Sequence, residues 1–390
     1  MIRSEPSFQG YHRADGSIGV RNHMLVLSVG GLTIPTARRI AASIKGAVIV
    51  GFPYNAGSLL GEDRATWKRA MFAIPIHPNV GGVLLIGDNP PLTAEVAAHV
   101  EKAGRPHAAL TLDDCGHDAV TLTERGMRAA ARLAMRISFD KRAPAPLTAL
   151  TLGLECGRSD PSSGLVSNPL LGRMADRMVD AGGRAIIGET VEWLGAEHLL
   201  EKRAAAPDVA KAIHDAVRRR EETAIRNGLD LTGNNPGPTN IAAGLSSIEE
   251  KALGNIAKSG SRPIQGVLAY GEAAPKPGCW VMDAPAYASE SLTGFTAAHA
   301  QLMLFTTGVG NSFVSALAPT LKVSANPETC ARVGEQLDLD ASRVFLGTET
   351  PEAAADRLWQ RLLEVAEGAA TWGEILGEGD EVVARYGPAM

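Results

Sequence analysis

The sequence predicts an α/β protein of two Rossmann-like parallel-sheet domains, with helices on both faces of each sheet. Three observations carry this expectation. Short, β-rich apolar runs alternate with segments of helical spacing through most of the chain. The alternation is interrupted at "DKRAPAP" (140–146), where prolines and charges mark a boundary, and then restarts. In the second half, apolar runs end in polar or glycine-rich loops, as strands do at the ligand-binding edge of a parallel sheet. The expected division is therefore 1–140 and 147–390, with the second unit catalytic.

Taken in order, the first unit offers strands at "MLVLSV" (24–29), "AVIVGF" (47–52), "GVLLIG" (82–87) and "HAALTL" (107–112). Helical spacing follows each, over 36–45, 63–73, 92–103 and 121–135. Strands that alternate with helices imply a parallel sheet covered on both faces. The second unit opens with the strand "LTALTLGL" (147–154). A helix over 170–183 follows, with Leu171, Met174, Ala175, Met178 and Val179 on one stripe, Asn168 and Pro169 starting it and Gly182 ending it. "RAIIGE" (184–189) is the next strand, and helices are expected over 196–206 and 208–227. Residues 228–246 form a Gly-, Asn- and Pro-rich loop, of a length that is functional or disordered in a compact domain. A helix from 248 and strands near 266–270, 279–283, 302–306 and 320–324 come next, and 328–390 reads as helical closing segments.

Composition narrows the function. The net charge of -5 excludes a general nucleic-acid binder, which needs a basic face to displace counterions. No apolar leader and no run of about 18 apolar residues occurs, so neither a signal peptide nor a membrane span is expected. The cysteines at 115, 156, 279 and 330 are too scattered for a disulfide framework or a structural zinc site. A cytoplasmic protein is expected.

The loops at 155–164, 188–192, 271–278, 307–312 and 325–327 would converge on one cleft if their strands are parallel. Within "GLECGRSDPSSG" (153–164), Cys156 reads either as a small buried hydrophobe or as a ligand. Ser159, Asp160 and Ser163 read as turn builders or as chemistry. Glu189 and Glu192 read as helix-start carboxylates or as ligands to a hard cation. Ser247 to Glu250 forms a capping box, which accounts for Glu250. It leaves Lys251 unexplained, because a cation in the first turn opposes the helix dipole and asks for a nearby anion. Lys322 inside a strand reads as an edge or solvent-facing residue. "TTGVGNS" (306–312), with Gly308 and Gly310, lacks the third glycine of a dinucleotide fingerprint, because position 313 is Phe. Cys115 and His117 match no common metal spacing, and Arg21, Asn22 and His23 cluster just before a strand.

"GYHRADGSIGVRNH", "GLECGRSDPSSGLVSNPLLG", "GETVEWLGAEHLL", "NPGPTNIAAGLSSIEEKALGNIAKSG" and "LMLFTTGVGN…PTLKVSANP" occur in that order over residues 10–330. Together they resemble the altronate/galactarate dehydratase family, which includes the large subunit of sulfolactate sulfo-lyase. The resemblance implies a metal-dependent lyase that dehydrates a sugar acid, such as altronate or galactarate, to a 2-keto-3-deoxy acid. The alternative within the family releases bisulfite from (2R)-sulfolactate and leaves pyruvate. A reading from another class is a non-catalytic nucleotide-binding or scaffold subunit on the same fold.

What the resemblance implies for residues follows the loops. Cys156, Glu189 and Glu192 would hold a divalent metal, iron(II) or manganese, with magnesium as the alternative. Asp160, Ser159, Glu250 and Lys251 would be catalytic, Lys251 as base or acid if burial lowers its pKa. Arg21, Asn22, Arg158, Asn168, Lys322, Gly308 and Gly310 would bind the hydroxy-acid substrate. Two departures stand out. Arg158 replaces a small residue common in relatives, and Tyr54-Asn55-Ala56-Gly57 stands where relatives carry a histidine. The "GYHRADG" motif begins ten residues in, where single-chain relatives have a small SAF-like domain first. A separate small SAF-like subunit is therefore an expected partner, alongside a homo-oligomeric state.

Overall fold

The protein is described by a computed structural model covering residues 7–54, 56–231 and 235–385. It is an α/β structure in which both main sheets are wholly parallel and flanked by helices. Asn55 falls outside the described residues.

The smaller sheet runs in the order Ala47–Gly51, His23–Ser28, Val80–Gly87, His107–Thr111. Its strands are apolar on both faces, and the two-residue period sorts them. Leu25, Leu27, Val83 and Leu85 pack with Trp67, Met71, Val96 and Val100 of the helices Gly61–Ala73 and Pro90–Lys102. Met24, Val26, Leu84 and Ile86 pack with Ile40, Leu122, Ala130 and Leu133 of the helices Ile34–Ala42 and Ala119–Ile137.

The larger sheet runs in the order Ile264–Leu268, Gly278–Met282, Arg184–Ile187, Thr151–Cys156, Leu302–Thr306, Thr320–Ser324, Leu339–Asp340. One face, with Leu152, Leu154, Ile187 and Leu304, buries Leu171, Met174, Ile213, Ala252 and Leu358 of four covering helices. The other face carries Ile186, Trp280, Met282, Met303 and Phe305, which share a single core with Phe295 and with Leu25, Leu85 and Trp67 of the first sheet. The two sheets are therefore joined through a common apolar layer.

Several details correct the sequence expectations. Within 140–146, Ala143–Pro146 is a strand that pairs antiparallel with Ser7–His12. The helix expected over 196–206 stops at Glu201, and a new one begins with Pro207 at its first position. Within the long loop, Pro238–Ala242 is a short helix, and 232–234 lie outside the described residues. Lys322 lies in a strand flanked on both sides and is fully buried, not at an edge or in solvent. Its ammonium finds compensation instead, pairing with Glu378 and donating to the Asn311 carbonyl at 3.0 Å. Among the described residues, no helix is long and apolar enough to cross a membrane.

Candidate active site

The strand Thr151–Cys156 lies at the centre of the larger sheet. The chain leaves it toward Arg184–Ile187 on one side and later returns as Leu302–Thr306 on the other. Loops that depart in opposite directions leave a crevice at the carboxyl edge. A cleft of about 1630 Å³ opens there, and Cys156, Arg158, Glu189, Glu192, Lys251 and Gly310 are among the residues that line it.

Local structure explains why acidic groups enter the crevice. After the strand Arg184–Ile187 the chain makes a tight turn, held where Trp193 Nε1 donates to the Gly188 carbonyl at 3.0 Å. Glu189 sits in that turn with φ 67, a left-handed conformation uncommon for a residue with a side chain. The turn brings the buried carboxylates of Glu189 and Glu192 beside the buried thiol of Cys156.

The helix Ile248–Ala257 and its cap supply the counter-charges. Lys251, Asn255 and Lys258 recur at i, i+4 and i+7, so they share one helix face. Lys251 pairs with Glu192 and also donates to Asn235. Asn255 Nδ2 donates to Glu189 Oε2 at 2.9 Å and Glu192 Oε2 at 3.0 Å. Lys258 is fully buried, pairs with Glu189, and lies 3.4 Å from Cys156 Sγ. Beneath them, the buried carboxyl of Glu155 accepts from Ser291 Oγ at 2.6 Å.

The electrostatics follow from burial and these contacts. Burial and then the Glu189 charge push Glu155 well above the usual carboxylate range, so Glu155 holds a proton and hydrogen-bonds to Glu189. Burial and then Glu189 likewise push the Cys156 thiol up. Burial would raise Glu189 too, but Lys258 outweighs it and the net direction is down. For Glu192 burial and Glu189 prevail, and its pKa is raised. For both lysines, burial opposes the charge and loses. Glu192 leads in raising Lys251, and Cys156 and Glu189 lead in raising Lys258. With Glu155 and Cys156 protonated, two carboxylates face two ammonium groups and the site is close to neutral.

The sequence expectations divide accordingly. Cys156, Glu189, Glu192 and Lys251 meet in one cluster, and Arg158 and Gly310 line the same cleft. Lys251 finds the carboxylate that its place in a first helical turn demanded, but its pKa is raised, not lowered as a lysine base would require. Asp160 is buried in a turn. Its Oδ1 accepts from Ser162 Oγ at 2.7 Å and Ser163 N at 3.0 Å, and its Oδ2 accepts from Asn326 Nδ2 at 2.7 Å. Gly308 packs on that turn so closely that a Cβ would stand 2.4 Å from Asp160 Cγ. The Ser159 carbonyl accepts from Asn240 Nδ2 at 2.9 Å. Asn168 lies buried below the cleft, bonded to Gly254 and Thr306. Glu250 is exposed and caps its helix through Ser246, which holds its carboxyl below the usual range.

Arg21 and Asn22 are engaged away from the cluster. Arg21 forks onto Glu374 and reaches the carbonyls of Val365 and Ala369, and Asn22 joins Arg13 to the Ile137 carbonyl. Residues 271–278 do not line the cleft, because that segment crosses back to begin the strand at Gly278. Sequence reasoning missed Glu155, Asn255 and Lys258. The available signals were a carboxylate inside an apolar strand and the polar i, i+4, i+7 stripe of Lys251, Asn255 and Lys258 beside the apolar Ala252 and Ile256.

The thiol of Cys156 and the carboxylates of Glu189 and Glu192 present three ligand atoms within 4.8 Å of one another, and they can hold a metal ion. One soft sulfur with two hard oxygens suits a first-row transition ion better than an all-oxygen ion such as magnesium. The donor set therefore fits a divalent metal.

Comparison with known proteins finds relatives along nearly the whole chain. Residues 147–389 match the domain described as D-galactarate/altronate dehydratase, C-terminal, and residues 10–138 match D-galactarate dehydratase/altronate hydrolase, second domain. The chain is 34% identical to the (2R)-sulfolactate sulfo-lyase subunit beta of Chromohalobacter salexigens, over 97% of both chains. It is 30% identical to the altronate dehydratase of Bacillus subtilis, over 93% of this chain and 74% of that one. It is 27% identical to the galactarate dehydratase (L-threo-forming) of Escherichia coli, over 93% and 73%.

Proposed function

The chain belongs to the D-galactarate/altronate dehydratase family, and from that membership we propose that it is a lyase that eliminates a group from C3 of a 2-hydroxy acid. The observation that carries the reading is the buried, charge-balanced cluster in which Cys156, Glu189, Glu192 and Lys251 line the cleft and Lys258 lies enclosed behind them. A C2 proton beside a carboxylate is very weakly acidic, so removing it needs a base, an acid for the leaving group, and positive charge where negative charge develops.

The residues divide these tasks by their charge states. Glu192, on the wall of the cleft, holds Lys251 in place through their ion pair. Lys251 stays protonated beside it and faces the cleft, where it donates to the departing group. Lys258 is enclosed and touches no solvent, so it is a positioning residue that keeps Glu189 ionised. Cys156, Glu189 and Glu192 would hold a divalent cation, iron(II) or manganese, which supplies Lewis acidity to the substrate carboxylate when bound. In the dehydration, C2 loses a proton, water leaves C3, and the enol tautomerises to the 2-keto-3-deoxy acid.

The dehydration of a sugar acid is the first reading. Loss of bisulfite from a sulfonated hydroxy acid is the second, favoured by a relative that matches over 97% of both chains and is itself named a subunit. That name also supports a separate small partner subunit. The test is a panel of aldonic, aldaric and sulfonated hydroxy acids, with iron(II) or manganese and with or without a candidate small subunit. Keto-acid formation is read beside sulfite release. Keto acid without sulfite supports dehydration, sulfite with pyruvate supports the second reading, and neither under any condition refutes the lyase assignment.

A further inference from the structure

Two arginines on the wall of the cleft point to the substrate's charge. Resting on the lyase reading, we propose that Arg158 and Arg332 form an anion clamp, so that the substrate is a short hydroxy acid with two anionic groups, not one.

Arg158 follows Cys156 by two residues, so their Cα atoms lie within about 7 Å. Its φ of 52 is left-handed, a region that side-chain-bearing residues seldom adopt. Strain of this kind persists only where surrounding structure imposes it. The imposed turn places the guanidinium against the loop after Leu302–Thr306, where Nη1 donates to the Gly310 carbonyl at 3.1 Å. Arg332 ends the helix Pro327–Arg332 and approaches the same loop, where its Nη2 donates to the Val309 carbonyl at 3.0 Å. Two guanidinium groups are thus anchored to successive carbonyls, and both line the cleft that holds the buried cluster.

The loop that anchors them is itself fixed. Thr329 Oγ1 donates to the Gly308 carbonyl at 2.6 Å, and buried Lys322 donates to the Asn311 carbonyl at 3.0 Å. Gly308 has no room to shift toward Asp160. Each guanidinium has five N–H donors, and one of them is spent on the loop. Among the described residues neither arginine meets a carboxylate, whereas Arg21 and Arg220 pair with Glu374 and Asp283. Two of the three acids that line the cleft are paired with lysines. Glu189 and Glu192 face lysines, and Asp380 on the wall accepts from the Glu381 backbone at 2.8 Å.

A substrate whose C1 carboxylate lies at the cluster would project its far end toward these donors. Planar forks of N–H groups suit a carboxylate or sulfonate and gain nothing from a terminal hydroxyl of the same length. The inferred class is therefore a short aldaric acid or sulfonated hydroxy acid, in preference to an aldonic acid.

The experiment compares wild type, Arg158→Gln and Arg332→Gln on length-matched dianionic and monoanionic hydroxy acids. Binding of unreactive 3-sulfopropionate, succinate and butyrate is measured beside turnover. The clamp predicts that each variant lowers the preference for dianions over monoanions about tenfold, the size of one charge-assisted hydrogen bond. It also predicts that the loss falls on KM and weakens the ionic-strength dependence of binding. A wild type that treats dianions and monoanions alike, or variants that lose equally on both, overturns the clamp while turnover keeps the lyase reading. A wild type that prefers dianions in binding yet converts none of the hydroxy acids supports the clamp and refutes the lyase reading.

Discussion

Replacing Lys258 by Met tests the charge balance of the cluster. Met matches the length of the lysine stem and adapts to irregular space, so packing changes little. The pair it breaks is enclosed, with the Lys258 and Glu189 side chains 0% and 1% exposed. One ammonium, Lys251, would then face the carboxylates of Glu189 and Glu192. Removing one partner of a buried pair costs about 3–5 kcal/mol. The alternative is proton uptake by a carboxylate whose unfolded pKa is about 4.3, which at pH 7 costs roughly 3–4 kcal/mol. The two routes agree at neutral pH and diverge below it.

The sign follows from the direction of each shift. In wild type, Lys258 holds Glu189 below its ordinary value, so that stabilisation is present at neutral pH and is lost as pH falls through the folded pKa. In the variant a carboxylate is raised instead, and stability falls as pH rises above about 4.3. The gap between the two proteins should widen by roughly 2–3 kcal/mol from pH 5 to pH 7. Urea denaturation at both pH values measures it. A gap below about 1 kcal/mol at pH 7, or one independent of pH, refutes the charge balance.

Other expectations are independent of this one. Glu381 is buried, and burial pushes its carboxyl up to about 7, so stability should fall as pH rises from about 4.5 to 7, by about 3 kcal/mol. Glu381→Gln keeps an oxygen for the donors at Ser315, Thr296 and Ala316. The variant should melt higher than wild type by roughly 6 °C at pH 8, with the difference vanishing toward pH 4.5; calorimetry across that range decides. Cys156→Ser replaces a soft donor with a hard one, so iron or manganese content by elemental analysis should fall about tenfold or more while the fold, read by circular dichroism, persists. Unchanged metal content would remove Cys156 from the ligand set. Lys251→Gln should lower kcat by about two orders of magnitude with a smaller change in KM; a KM effect alone would reassign Lys251 to substrate binding. Gly308→Ala forces a Cβ against Asp160 and should cost about 1–3 kcal/mol in denaturant unfolding.

What was legible in the sequence was what short-range pattern encodes. The apolar runs of the parallel strands, the stripe of Leu171, Met174 and Met178, and the helix cap at Ser247 all declare themselves within a few turns of chain. Lys251 was readable as a residue in need of an anion because the helix dipole makes a first-turn cation unfavourable. Lys258 carried no such signal, since a lysine at a helix end is ordinary there. Its role arises because the turn after Arg184–Ile187 lies against that helix, a proximity no local rule contains.

The same distinction separates Arg21 from Arg158. Both are arginines near strand ends, and sequence alone offers substrate binding for each. Tertiary structure assigns Arg21 to Glu374, a partner 353 residues away, and leaves Arg158 facing the cleft without a carboxylate among the described residues. Sequence by itself determined the alternation of elements, because side-chain periodicity and capping act over a few residues. Tertiary structure alone decided which charges are satisfied, because neutralising a buried charge depends on groups brought together across the whole fold.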